Sequence, residues 1–122
     1  MPSSLDRWKE LNSSQRRAVT APAGPLLVLA GAGSGKTRAI AYRIAFLIHE
    51  RGVPPWSILA LTFTNKAAGE MRSRVASLLK SLGGEGRASS EVAVYTFHAL
   101  ALRLLRRFGT DIGLPHGFAI YD

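Results

Sequence analysis

Short apolar runs alternate along the chain with longer stretches in which apolar residues recur every three or four positions. The runs have the length and bulk of strands buried in a parallel sheet, and they cover residues 26–30, 58–63 and 92–96. The periodic stretches predict three helices, from Lys36 to about Arg51, from Thr64 or Asn65 to Leu82, and from Phe97 to about Phe108. Strands that alternate with helices indicate an α/β fold built on a parallel sheet.

A further short helix precedes the first apolar run. Asn12 is suited to the N-cap, and Gln15 follows three residues later at the second position of a capping box. This helix should run to about Thr20 and end before Pro22. From spacing alone, capping is the favoured role of Gln15.

The first apolar run leads directly into a glycine-rich turn, Gly31-Ala32-Gly33-Ser34-Gly35-Lys36-Thr37. The turn fits the pattern G-x-x-x-x-G-K-[ST], with Ala30 in place of the first glycine. Glycines let successive N–H groups point inward around an anion, and the following helix directs the positive end of its dipole to the same place. Lys36 would then reach the β- and γ-phosphates, and the Thr37 hydroxyl would ligate Mg²⁺. The alternative is a glycine-rich turn with an incidental lysine, but the flanking strand and helix favour a nucleoside-triphosphate loop.

Composition sets the class of protein. A chain of 122 residues forms one domain at most, and an apolar fraction of 47% is enough for a core. The sequence has no Cys and no apolar signal segment, and its apolar runs are too short to cross a bilayer. These features predict a cytoplasmic protein without a membrane partner.

The charge balance is strongly basic. Sixteen Lys and Arg against eight Asp and Glu give a net charge of +8. An excess of this size favours a polyanionic partner such as nucleic acid. From composition alone, a solvated basic surface explains it equally well.

Four sequence blocks together resemble the N-terminal RecA-like domain, domain 1A, of the UvrD/PcrA/Rep group of superfamily 1 DNA helicases. Residues 11–19 resemble the family's Q motif, residues 30–37 motif I, residues 61–72 motif Ia and residues 96–106 motif Ib. The block Thr62-Phe63-Thr64-Asn65-Lys66-Ala67-Ala68 is far more specific than the phosphate loop. The resemblance implies a RecA-like P-loop NTPase, with a parallel sheet flanked by helices, that belongs to an ATP-dependent 3′–5′ DNA helicase using ATP and Mg²⁺.

The resemblance also assigns nucleotide contacts. It implies that Gln15 reads the adenine edge, which reverses the preference for a capping role alone. Lys36 and Thr37 are expected to act in catalysis, with Thr37 on the metal. The expected cofactor-binding residues are Gln15, Ala30, Gly31, Ala32, Gly33, Ser34, Gly35, Lys36, Thr37 and Arg38.

Single-stranded DNA is the partner that the resemblance implies for motifs Ia and Ib. Phe63 offers a ring on which a base can stack, and Thr64 and Asn65 offer polar groups to phosphate. Thr96 and His98 form the DNA-facing pair of motif Ib. By residue type alone, a phenylalanine that ends an apolar strand is more often part of the core, and an isolated histidine more often structural.

Hydrolysis needs further groups. The family's Walker B acid, in its Asp-Glu box, and its arginine finger lie beyond residue 122. The resemblance therefore implies that residues 1–122 are a partial domain 1A, truncated before the Walker B strand, which acts with the remaining helicase domains and is not hydrolytic alone. Because the Walker B strand lies beside the phosphate-loop strand in RecA-like sheets, residues 26–30 should expose an unpaired apolar edge. Self-association, a rearranged strand order or weak stability is the expected consequence.

Two other functions remain open on the residues alone. A stand-alone P-loop kinase or phosphotransferase would need an acceptor site and a lid with arginines, and it leaves the block at residues 62–68 unexplained. A non-catalytic nucleotide- or DNA-binding module would bind ATP without turnover, and single strands would not affect it.

Overall fold

The computed structural model describes Trp8 and residues 10–31, 35–83 and 90–120. Its main elements are α1 (Ser13–Thr20), α2 (Lys36–His49), β1 (Leu59–Thr62), α3 (Asn65–Ser81), β2 (Ala93–Thr96) and α4 (Phe97–Phe108). All four predicted helices and two of the three predicted strands are confirmed, with ends within two residues of those expected. Within these ranges, no helix combines the length and apolar character that crossing a membrane requires.

The sheet of the described chain consists of two parallel strands. β1 pairs with β2 in a register that sets Leu59 opposite Ala93 and Thr62 opposite Thr96. Parallel neighbours need a crossover connection, and α3 lies in it. The predicted α/β fold with a parallel sheet flanked by helices is confirmed at this level.

One apolar cluster joins the sheet to the first three helices. Its buried members come from the segment before α1, from all three helices and from both strands; they include Trp8, Leu11, Val19, Ala41, Ile44, Ala60, Met71, Val75, Leu79 and Val94. The Trp8 ring packs edge-on against the rings of Tyr42 and Phe46, with centroids 5.7 and 5.8 Å apart. This cluster holds α1 and α2 side by side, which sets the position of the site described below.

The first apolar run departs from the prediction. Residues 25–31 form no strand, and Leu27 and Leu29 are 82% and 87% exposed. A strand needs a hydrogen-bonded neighbour, and the described sheet consists of β1 and β2 alone. The prediction of a buried strand is therefore wrong for this chain, and without the strand there is no unpaired strand edge at these residues. The apolar side chains of residues 26–29 are nevertheless exposed.

The apolar face of α4 is also largely uncovered. The predicted helix is present with the expected bounds, but it has no buried residue. Leu104, Leu105 and Phe108 are all exposed. An amphipathic helix whose apolar face is largely exposed in the described chain is a feature that periodicity did not predict.

Candidate nucleotide and nucleic-acid sites

The N-terminus of α1 positions Gln15. The Asn12 side chain accepts a hydrogen bond from the Gln15 N–H at 2.9 Å, and Gln15 Oε1 accepts one from the Asn12 N–H at 3.1 Å. This reciprocal capping box confirms the local role predicted from spacing. It also holds the Gln15 amide in one orientation, because the oxygen is the atom tied to the cap.

The N-terminus of α2 lies at the end of the glycine-rich turn. Gly35 is the cap residue, with φ +82°, a left-handed conformation that favours glycine. It has no side chain to accept from the first N–H groups of α2, and the first helical turn has no acidic residue. This end of α2 is therefore an electropositive position suited to an anion.

A cleft of about 720 Å³ lies between α1, the segment 24–31 and the start of α2. Gln15, Ala30, Gly31, Gly35 and Lys36 all line it. Two sequence blocks that are twenty residues apart thus meet around one space. Ala32, Gly33 and Ser34 lie outside the described residues, and Thr37 follows Lys36 in α2 without lining the cleft.

Gln15 and Gly35 make a close contact in this cleft. A Cβ placed on Gly35 would lie 2.9 Å from Gln15 Nε2, closer than real side chains tolerate. The absence of a side chain at Gly35 therefore admits both the left-handed turn and the Gln15 amide. The Gln15 amide therefore lies beside the phosphate-loop backbone in this structure.

Arg38 lies elsewhere. Its guanidinium pairs with the Glu10 carboxylate at 3.2 Å and lies 5.5 Å from the centre of the Tyr42 ring. The Tyr42 hydroxyl donates to the same carboxylate at 2.8 Å. Burial, and then the hydrogen bond to Glu10, raise the pKa of Tyr42. Because Arg38 is held by these groups and does not line the cleft, the structure gives its predicted nucleotide contact no support.

Arg43 also lines the cleft, and the sequence reasoning missed it. Its Nη1 donates to the carbonyl oxygens of Ala18, Val19 and Ala21 at 3.2, 3.0 and 2.9 Å. A usable signal was present, because this charged residue stands between Ile40 and Ile44 in the apolar pattern of α2. Such a position is unusual for an arginine unless its guanidinium has buried partners.

A second group of predicted residues lies at the carboxyl ends of the two strands. Phe63 follows β1 and is 88% exposed, and its ring centre is 5.4 Å from that of Phe97, which begins α4. The pairing of Thr62 with Thr96 makes these two rings neighbours. Phe97 is therefore a further candidate residue that only the strand register brings to Phe63.

Some of the polar residues at this edge are exposed, and the hydroxyl groups of others cap a helix. Asn65 and His98 are exposed. The Thr64 hydroxyl is exposed but accepts from the Ala67 N–H at 3.0 Å, which caps α3. Thr96 is only 7% exposed, and its hydroxyl caps α4 by accepting from the Ala99 N–H. Because its hydroxyl is used by the helix cap and is buried in this structure, the DNA-facing role of Thr96 stays a prediction.

The similarity of this chain to known proteins covers the same four sequence blocks. The profile of the UvrD/REP helicase N-terminal domain matches residues 11–122. Over 112 residues, 92% of its length, the chain is 53% identical to the ATP-dependent DNA helicase PcrA of Leuconostoc citreum and 52% identical to DNA helicase II of Escherichia coli (strain K12). It spans 14% and 15% of the lengths of these relatives. The resemblance inferred from the four blocks is thus confirmed: the chain belongs to the UvrD/REP helicase N-terminal domain family.

Proposed function

We propose that this chain is the ATP-binding and single-stranded-DNA-binding portion of an ATP-dependent DNA helicase. The observation that carries the proposal is the cleft in which Gln15 from α1 meets Gly31, Gly35 and Lys36. The cleft thus offers a nucleotide both an amide with a fixed orientation and an electropositive helix start. The similarity to the ATP-dependent DNA helicase PcrA of Leuconostoc citreum supports the same assignment.

Each residue of the cleft has a distinct part in binding. Lys36 and the N-terminal N–H groups of α2 hold the phosphates, because the lysine and these N–H groups all lie at the start of that helix. Gln15 Nε2 donates to adenine N7, and Oε1, which has two lone pairs, accepts from adenine N6 while it keeps its bond to Asn12. The fixed orientation of this amide favours adenine over guanine, whose O6 would face the same oxygen.

Mg²⁺ fits this arrangement through the nucleotide. Among the described residues, no group of three or more His, Cys, Asp or Glu side chains is placed to hold a metal ion. Mg²⁺ in phosphate sites is bound by few protein ligands together with phosphate oxygens and water. The Thr37 hydroxyl, in the first turn of α2 beside the cleft, would supply such a ligand, and the bound ion would neutralise phosphate charge.

Turnover requires groups other than those that line the cleft. None of the described lining residues is a carboxylate. Activation of water and support of the metal by an acidic residue are parts of the usual phosphoryl-transfer site. We therefore assign nucleotide binding to this chain, and assign hydrolysis to its combination with the other helicase domains.

The carboxyl edge of the sheet is the proposed DNA site. Exposed Phe63 and Phe97 offer ring surfaces to unpaired bases, and Asn65 and His98 offer polar groups beside them. The N-terminus of α3 at the same edge suits a backbone phosphate. The net charge of +8 favours the approach of a polyanion.

The test measures ATP–Mg²⁺ binding to the 122-residue chain by calorimetry, with Lys36→Ala as the site variant and Lys66→Ala as a matched control in α3. Binding should be lost only with Lys36→Ala.

In parallel, a labelled thymidine oligonucleotide at low salt tests DNA binding, and Phe63→Ala should weaken it by about 1–3 kcal/mol per stacked base. Trp56→Ala is the control, because this exposed aromatic residue precedes the opposite end of β1. A folded chain that binds neither ligand would overturn the proposal.

A further inference from the structure

The C-terminus of α1 depends on two arginines from outside that helix. A helix leaves its last carbonyl groups without internal donors, and α1 is only eight residues long. Arg43 donates to Ala18, Val19 and Ala21, and Arg51 donates to the Thr20 carbonyl at 3.3 Å. Four consecutive carbonyl groups at this end thereby receive charged donors. Positive charge at this position also complements the helix dipole.

Arg43 makes three of these four bonds and is the arginine that lines the cleft. It lies seven residues after Lys36, so both are on one face of α2, about two turns apart. At the other end of α1, Gln15 contacts Gly35. The two helices are thus joined at both ends, by Arg43 at one and by the Gln15–Gly35 contact at the other.

We propose that Arg43 is a positioning residue for base recognition, which holds α1 so that the Gln15 amide meets the adenine of a nucleotide whose phosphates lie at Lys36. This inference rests on the proposed ATP site and adds a residue to it. Arg43 acts through α1 and does not touch the base. All three Arg43 bonds come from Nη1, at the far end of the side chain. A lysine at this position keeps the charge, but its ammonium is one atom nearer the backbone and does not reach the same point.

The experiment compares the affinities of the 122-residue chain for ATP and for GTP, each with Mg²⁺. GTP carries the same triphosphate, so its affinity reports the phosphate contacts, and the ratio of the two affinities reports base reading. Arg43→Lys should lower the preference for ATP by up to about tenfold, the equivalent of roughly one hydrogen bond, and leave GTP affinity unchanged. Gln15→Ala should have the same effect on the ratio. The double variant should show no further loss, because both changes remove one interaction.

Arg72→Lys is the matched control. Arg72 also donates from a helix to a backbone carbonyl, that of Val94 at 2.6 Å, and it does not line the cleft. Its replacement should lower stability without changing the ATP-to-GTP ratio. The fluorescence of Trp8, buried against α2, verifies that each variant is folded.

The outcomes separate this inference from the function on which it rests. If the wild-type chain prefers ATP and Gln15→Ala removes the preference, while Arg43→Lys leaves it intact, the role of Arg43 is refuted alone. Equal losses of ATP and GTP affinity in Arg43→Lys would also refute it, since that result describes a general structural role. A wild-type chain that binds no nucleotide would refute both.

Discussion

At the residue scale, Gly35 combines two constraints that are usually separate. Its φ of +82° requires a left-handed conformation, and the Gln15 amide occupies the space of its missing side chain. Gly52 has a similar φ of +65° but nothing within 4 Å of a Cβ placed there. Alanine substitutions at the two glycines therefore distinguish two free-energy costs. One is the cost of alanine in a left-handed conformation, and the other is the cost of displacing the Gln15 amide.

We predict that Gly35→Ala and Gly52→Ala each lower the free energy of unfolding by about 1 kcal/mol, because alanine is strained at positive φ. Only Gly35→Ala should also weaken ATP binding, since its methyl group displaces Gln15. Urea denaturation and calorimetric titration measure the two effects. Equal loss of ATP affinity in both variants would contradict a specific contact between Gly35 and Gln15.

The raised pKa of Tyr42 predicts that the free energy of unfolding depends on pH. Its raised pKa means that the folded chain holds the phenol proton more tightly than the unfolded chain does. This stabilisation is complete below the unfolded value of about 10 and is lost as the pH rises through the folded pKa. Tyr42→Phe should lower stability by about 0.5–1.5 kcal/mol near neutral pH. The difference from wild type, measured by denaturation, should shrink above about pH 10; a constant difference would count against this account.

At the scale of the element, α4 shows that helix formation and helix burial are separate events. Its caps and periodicity suffice for the helix to form, but none of its residues is buried and much of its apolar face is exposed in the described chain. By contrast, α3 places Met71, Val75 and Leu79 in the core. A matched pair of substitutions, one in each helix, tests this difference.

Leu79→Ala, at a position 3% exposed, should lower the free energy of unfolding by about 2–5 kcal/mol through lost burial and a cavity. Leu104→Ala, at a position 48% exposed, should change it by no more than about 0.5 kcal/mol. Urea denaturation of both variants checks the contrast. A comparable loss from Leu104→Ala would mean that α4 is packed in solution.

At the scale of the whole molecule, the exposed segment 26–29 is the main departure from a self-sufficient domain. Its four consecutive apolar side chains present an exposed apolar surface to any neighbouring chain. The chain spans only 14–15% of the lengths of the two relatives compared above.

We therefore predict that the chain self-associates through this segment in a concentration-dependent manner. Substituting Leu27→Lys and Leu29→Lys together should shift sedimentation toward the monomer, because both are among the most exposed apolar residues and charge opposes pairing of edges. Trp56→Lys, at an exposed apolar site outside the segment, is the control and should leave association unchanged. A wild-type chain that sediments as a monomer at all concentrations would refute the prediction.

The sequence alone determined the features that depend on neighbours within a few positions. Local periodicity, side-chain capping and short motifs were enough for the bounds of the four helices and of β1 and β2, the capping box at Asn12 and Gln15, the glycine at Gly35 and the family. Each of these requires only residues close in the chain, so each can be seen before the chain is folded.

The tertiary structure decided which distant groups meet and which find no partner. It brought Gln15 against Gly35, directed Arg43 to the end of α1, paired Phe63 with Phe97 and placed the Thr96 hydroxyl in a buried cap. It also left residues 26–29 without a strand. The physical reason is common to all: hydrogen bonds and packing between distant segments depend on register and on which neighbour is present, and periodicity carries neither.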